Sequence, residues 1–466
     1  MPYINPPMDM EAAAARVYQS LLLLRANDKN IWPALTREKQ SPRMYEGSRL
    51  LIARQKFKMT AMLDALAYLS VTDETRRVAI TTAITPSLVT LLVAQDGHAD
   101  SQPAEHISLL WSLLRKVKDS VDKGDRELVR ERRRDVYGFL YKACIHYVVK
   151  SLRVGVKEFQ KYTSVMRTRD GIQDLGKHED ILHNVETLIG ILLDRSDDSF
   201  PIPNDVALQV FKICESFSQA HESCHSFRSW NSAYRSTAGD SAYFDLREYL
   251  YSICTLHRHI TYLSLLPSPR CRYREILSRP FEVVAVPTKP SYPNTIDVSV
   301  PKLFSLLKET VDRQEPEPTL DRLMERISAE LPDLTGKTQL VIDSHAHCEC
   351  AVLVFAHNHF LDVSHIAISS TPCFPCSRFL LACWKNIEQV TNTFDKLYQE
   401  ELDLPWSLPP PFQDHTSATT ETDRHLTSMV WSSMSFMVGH TVAYMWSQKG
   451  GQTLVAYKNS ILYKGS

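Results

Sequence analysis

Gln339-Leu340-Val341-Ile342-Asp343-Ser344-His345-Ala346-His347-Cys348-Glu349 is the stretch whose reading decides the fold of the second half of the chain. Gln339-Leu340-Val341-Ile342 reads as a short buried strand. Asp343 or Ser344 then offers a capping oxygen for a helix running on through Ala351-Val352-Leu353-Val354-Phe355. The pattern repeats downstream. Ile366-Ala367-Ile368 reads as a second short strand, and Thr371 as an N-cap with Pro372 at the first helical position, where a missing N–H costs nothing. That helix continues through Phe379-Leu380-Leu381-Ala382-Cys383-Trp384. Strand, helix, strand, helix predicts an α/β unit whose two strands run parallel.

Both helices open on side chains that carry chemistry. His347-Cys348-Glu349 starts the first, and Pro372-Cys373-Phe374-Pro375-Cys376 starts the second. Cys373 and Cys376 lie three apart at a helix start, so both sulfurs face one spot. The unpaired N–H groups and the positive dipole end there favour thiolates. Parallel strands place both helix starts at the carboxyl edge of a sheet, where ligands gather in open α/β folds.

His347, Cys373 and Cys376 fill three corners of a zinc tetrahedron and leave the fourth for water, which is the arrangement of a catalytic rather than a structural site. Glu349, two residues after the histidine, is expected to move protons and not to bind the ion. Two other readings stay open on sequence alone. His345, Cys348 or Cys350 closes the site as a fourth ligand, leaving zinc that only staples the fold. Or the cysteines are buried thiols with no metal.

Working outward, residues 9–278 read as a mostly helical region. Glu105–Val121 places Ile107, Leu109, Leu110, Leu113 and Leu114 near one face, and Lys177–Arg195 repeats the pattern with Ile181, Leu182, Val185, Leu188 and Leu192. Asp205–Ala220 and Asp245–Leu266 have the same pattern, and Thr72-Asp73-Glu74 looks like a helix start. Leu88–Ala94 is a short apolar run read as core. Near Arg279 the composition changes: Phe281–Val286 is β-branched and strand-like, and prolines at 287, 290 and 293 punctuate the next stretch. Two helical patterns, Val298–Gln314 and Leu320–Leu331, precede the motif, and residues 413–466 form a tail with no assigned role.

The chain of 466 residues carries 53 Lys+Arg against 54 Asp+Glu, so the global basic footprint of a dedicated nucleic-acid binder is absent. Of ten cysteines, half sit singly in apolar helical stretches, as buried thiols do in a reducing compartment. No apolar run approaches the roughly 18–20 residues of a membrane span. Acidic Asp9 and Glu11 precede the first arginine, Arg16, the wrong charge order for a secretory signal. The expectation is an intracellular protein, cytoplasmic or nuclear.

The segments Ile342–Glu349 and Ile368–Cys376 resemble the nucleic acid/nucleotide deaminase superfamily, whose zinc-dependent base deaminases carry H-x-E…P-C-x-x-C. More narrowly they look like the fungal deaminase-like proteins allied to bacterial toxin deaminases. Pro405-Trp406-Ser407-Leu408-Pro409 is similar to a segment that often closes that domain. The resemblance implies a cytidine deaminase-like, three-layer α-β-α domain over residues 281–412, behind the α-helical N-terminal region. It implies Zn2+ bound by His347, Cys373 and Cys376, with Glu349 as the proton shuttle that activates a water. The implied substrate is an amino-bearing nucleobase, free, in a nucleotide or in nucleic acid, and the helical region is left for protein contacts. One departure stands out: Glu388–Asp403, where the family has a strand, is polar, acidic and helix-like.

Other candidates read as structural. Gly336-Lys337-Thr338 lacks the upstream glycine of a phosphate loop, since Leu331 occupies that place. Arg126, Arg130, Arg132, Arg133 and Arg134 alternate with Glu127 and Glu131, as on a solvated helix face. His221, Cys224 and His225 have no matching second half of a metal site, and His357, His359 and His365 read as surface or packing residues.

Overall fold

Val78-Ala79-Ile80-Thr81-Thr82-Ala83-Ile84 forms strand β1 and Val89-Thr90-Leu91-Leu92-Val93-Ala94-Gln95 forms β2, two β-branched runs that pair antiparallel with Ile80 opposite Val93. The turn between them closes through Thr85, whose N–H donates to Leu88 O and whose Oγ1 accepts from Leu88 N. The computed structural model describes residues 59–71, 76–97, 102–168, 175–193, 202–223, 226–239, 244–288, 295–299, 339–341, 346–359 and 365–369, with single positions including 19, 361, 376 and 380.

Strand β3 (Phe281–Ala285) pairs parallel with β2, and β6 (Ile366–Ile368) pairs antiparallel with β1, giving a four-stranded mixed sheet of order β3-β2-β1-β6. Because β1 alone runs the other way, β2, β3 and β6 all end at one edge. Short strands β4 (Thr295–Asp297) and β5 (Gln339–Val341) form a separate antiparallel pair. The strand expected at Gln339–Ile342 therefore exists, but not in the sheet that holds β6. The parallel partners of β6 by direction are β2 and β3.

The rest of the described chain is mostly helical. Helix α1 (Met59–Leu69) precedes the hairpin. Helices α2 (Gln102–Asp122), α3 (Arg126–Cys144), α4 (His146–Arg167), α5 (Leu175–Leu192), α6 (Asn204–Ser223), α7 (Phe227–Ala238), α8 (Leu246–Ile253) and α9 (Thr255–Ser264) separate it from β3. Carboxylates start two of them: Asp125 accepts from Leu128 N, and Asp245 accepts from Arg247 N and Glu248 N. The run read as one helix from Asp245 to Leu266 breaks at Cys254 into α8 and α9. Burial follows the expected periodicity in α2 and α5, except that Leu109 is half exposed while Trp111 and Val117 take inward positions.

Helix α10 (Cys348–Asn358) packs on β1, β2 and β6. Val78, Ile80, Val89, Leu91 and Val93 join the core shared with α1 to α9, whereas no α10 residue does. Strand alternation leaves Ala79, Thr81, Leu92 and Ala94 on the opposite face, toward α10. Small alanines there let an apolar helix sit close.

Two expectations change. Residues 9–278 are mostly helical where described but also hold β1 and β2, which the helical reading does not anticipate, and the sheet is assembled from chain on both sides of α2–α9. The helix expected to start at Thr72 does not extend into Val78, where the chain is already a strand, and Thr72–Glu74 themselves lie outside the described residues. The helical patterns around 298–331, the Pro405–Pro409 and Glu388–Asp403 segments and the tail 413–466 also fall wholly or largely outside the described residues.

Candidate metal centre

The sheet edge where β2, β3 and β6 end is where the motif side chains meet. Strand β2 runs into Asp96 and then Gly97, whose φ of 94° is open to glycine at little cost. Asp96 is tied to the residue just before β1 by its N–H, which donates to Arg77 O at 3.0 Å. After β3, Thr288 Oγ1 donates to Gly97 O at 2.7 Å, and Thr288 O accepts from Ala346 N at 2.9 Å. After β6, Ser369 exchanges hydrogen bonds with the Val78 backbone. These links fix the chain just before α10 against the ends of two strands.

His347 is the N-cap of α10 but makes no side-chain capping bond. The open N–H of Cys348 donates to Asp96 Oδ1 at 2.7 Å, so a carboxylate from the end of β2 caps the helix from outside it. The His347 ring turns to Cys376 instead: Nδ1 lies 3.3 Å from Cys376 Sγ. Ligand atoms of His347, Glu349 and Cys376 all lie within 4.8 Å of one another, and all three residues are buried. Cys376 and Leu380 are helical, as the second motif predicts.

The donor set fits zinc. Zinc bonds of about 2.3 Å to sulfur and about 2.0 Å to nitrogen put those atoms about 3.5 Å apart across a tetrahedral angle. The separation found is 3.3 Å. Glu349 is fully buried, its Oε2 takes the Cys348 thiol at 3.3 Å, and among the described residues its Oε1 finds no hydrogen-bond partner. A buried carboxylate oxygen left open is suited to a group that the protein chain does not itself provide.

Cys348 forms a second cluster with Asp96 and Glu349, again within 4.8 Å. Burial, then the charges of Asp96 and Glu349, hold its thiol well above the usual thiol range, in keeping with its hydrogen bond to Glu349 Oε2. Asp96 is itself raised, first by burial and then by Glu349, against the opposing pull of His347 and the Cys348 N–H. Cys350 belongs to neither cluster. Cys373 and His345 lie outside the described residues.

Asp96 escaped the sequence reading. The signal was there: Asp-Gly closing an apolar β-branched run marks a strand end. A helical reading of residues 78–95 hides that strand end. The discounted candidates stay apart from the site. Arg126, Arg130 and Arg134 lie on α3 away from it, and Arg132 pairs with Asp135 at 3.2 Å. His357 and His359 sit in the last turn and at the C-cap of α10, His359 stacking on Phe355 with ring centroids 3.9 Å apart. His365 is buried, with Nε2 2.9 Å from Asp64 Oδ1, and His221 lies against the Phe227 and Tyr251 rings. Cys224 and His225 lie outside the described residues. Among the described residues no helix is long and apolar enough to cross a membrane.

No protein-family model, curated protein or solved structure matches this chain.

Proposed function

We propose that the chain is a zinc-dependent hydrolytic deaminase acting on an amino-bearing nucleobase, carried free, in a nucleotide or in nucleic acid. The observation that carries this reading is the approach of His347 Nδ1 to Cys376 Sγ at 3.3 Å with the Glu349 carboxylate beside both. His347 and Cys376 would hold the ion, with Cys373 as the third ligand that the spacing calls for. Bound there, zinc supplies Lewis-acid activation of a water near neutral pH. Glu349 takes a proton from the attacking water and hands it to the departing amine, so that ammonia leaves. Its open Oε1 is the atom placed for that transfer, while the Cys348 thiol keeps Oε2 occupied and fixes the plane of the carboxylate. The four-stranded sheet with α10 on one face and α1 on the other supports a cytidine deaminase-like domain.

The depth of the site favours a second reading, in which zinc only staples a deaminase-like interaction module. Cys376 and Glu349 are fully buried and His347 is 6% exposed. Glu349→Ala separates the two. The enzyme reading expects the variant to keep its zinc and to lose at least about 100-fold in ammonia release across a panel of nucleobases, nucleosides and nucleotides. Zinc binding with no ammonia from wild type on any member of the panel, including single-stranded DNA and RNA, supports the staple instead.

A further inference from the structure

We propose that Asp96 is a positioning residue of the metal centre: from the end of β2 it sets the placement of α10, and through it the directions of His347 and Glu349. This inference rests on the zinc reading. Asp96 comes from a distant part of the chain, its bond to Cys348 N spanning a sequence separation of 252.

The geometry is specific. An α-helix presents unpaired N–H groups at its first turn, normally met by the side chain of its own N-cap. Here the N-cap is His347, whose ring is committed to Cys376 and makes no capping bond. A neutral imidazole has one acceptor nitrogen, so a ring that spends it on a metal has none left for a helix N–H. Asp96 resolves the conflict by supplying the cap from the sheet. Its own backbone is held by Arg77 O, so the carboxylate is anchored at both ends of the contact.

Cys348 lies between the two functional residues in sequence. A shift of its N–H therefore moves the His347 imidazole and the Glu349 carboxylate together. One residue of helical slippage rotates the helix by about 100° and moves it about 1.5 Å along its axis, against a tolerance of about 0.2 Å in metal–ligand distance. Thr288 O braces Ala346 N, two residues before Cys348, but the Thr288 hydroxyl goes to Gly97 and not to the helix. Among the described residues, Asp96 is the side chain that reaches the first N–H of α10.

The test loads metal-free full-length protein with Co2+ alone and records the sulfur charge-transfer and visible absorption bands together with the affinity. Wild type is expected to give the bands of a four-coordinate site with sulfur ligands. Asp96→Ala should weaken binding by about 10–100-fold, the usual cost of losing an outer partner of a metal ligand, and alter the visible bands. Asp96→Asn keeps an acceptor oxygen in place and should restore the wild-type spectrum, with affinity within about threefold. Unchanged affinity and spectrum in Asp96→Ala overturn the proposal. So does failure of Asp96→Asn to rescue, since that makes the charge, or direct ligation by Asp96, the property that matters. Circular dichroism reports whether Asp96→Ala folds. If it does not, the Asn variant and the hydrogen-exchange rate of the Cys348 amide in metal-free wild type decide, and a rapidly exchanging amide overturns the proposal. Wild type that takes up no Co2+ sinks the zinc reading itself, and the amide rate still reports on the Asp96 contact.

Discussion

Gly155 sits in the middle of α4 where Tyr249 of α8 leaves no room for a side chain. A Cβ built on Gly155 would lie 2.5 Å from Tyr249 Cε2 and 2.7 Å from Cδ2, where carbon atoms prefer about 3.5–4.0 Å. About 1 Å of movement is therefore needed. The ring cannot yield cheaply. It is buried between Phe159 and Phe244, at centroid distances of 5.7 and 5.5 Å, and its hydroxyl donates to Leu152 O at 3.2 Å.

For Gly155→Ala, overpacking costs about 1–3 kcal/mol and a strained or lost hydrogen bond about 1 kcal/mol more. Better helix propensity returns about 1 kcal/mol. The net expectation is a destabilisation of about 1–3 kcal/mol. Two comparisons sharpen it. Gly138 in α3 has open space around its built Cβ, so Gly138→Ala should stabilise by up to about 1 kcal/mol. In a Tyr249→Ala background the obstruction is gone, and Gly155→Ala should itself turn stabilising. Urea unfolding with far-ultraviolet circular dichroism as the probe measures all four variants. Stabilisation by Gly155→Ala of the kind expected for Gly138→Ala would refute the clash, and so would a penalty that survives truncation of Tyr249.

Two other outcomes are expected. Burial pushes the imidazoles of His106 and His257 down to about 4, so both stay neutral in the folded chain where the unfolded chain takes up protons. Stability is then lost as pH falls from about 6.5 toward about 4, by up to about 1.4 kcal/mol per pH unit for each imidazole, and His257→Gln should flatten that slope in unfolding curves taken across the range. Thr288→Val leaves the Gly97 carbonyl without the hydroxyl that now satisfies it at 2.7 Å, and should lower the unfolding free energy by about 1–3 kcal/mol, whereas Thr288→Ser should retain most of it.

The second half of the site was legible because its elements announce themselves locally. His347 and Glu349 sit at a helix start flagged by a preceding strand, Cys376 belongs to the second motif and is helical, and the structure brings those three together. Helices with long apolar periodicity, such as α2 and α5, were legible for the same reason: packing on one face demands a 3.6-residue repeat. The hairpin of β1 and β2 was not. Its strands are buried on both faces, so they show neither strand alternation nor helical period, and their alanines and leucines suit either element. Losing the hairpin hid Asp96 and misplaced the sheet's assembly, because strand pairing across the whole of α2–α9 leaves no trace in any local window. The split at Cys254 was hidden too. Both sides of it continue one apolar pattern, while α8 packs on α4 and α9 on α1.

An imidazole and a thiol from two helices, gripping one metal ion at a sheet edge, are the centre on which the proposed chemistry depends. Elemental analysis of the purified full-length protein, beside Cys376→Ser and His347→Ala, tests that centre most directly. About one zinc per wild-type chain is expected, with marked loss from both variants. Wild type without bound metal, or variants that keep the full complement, would contradict it.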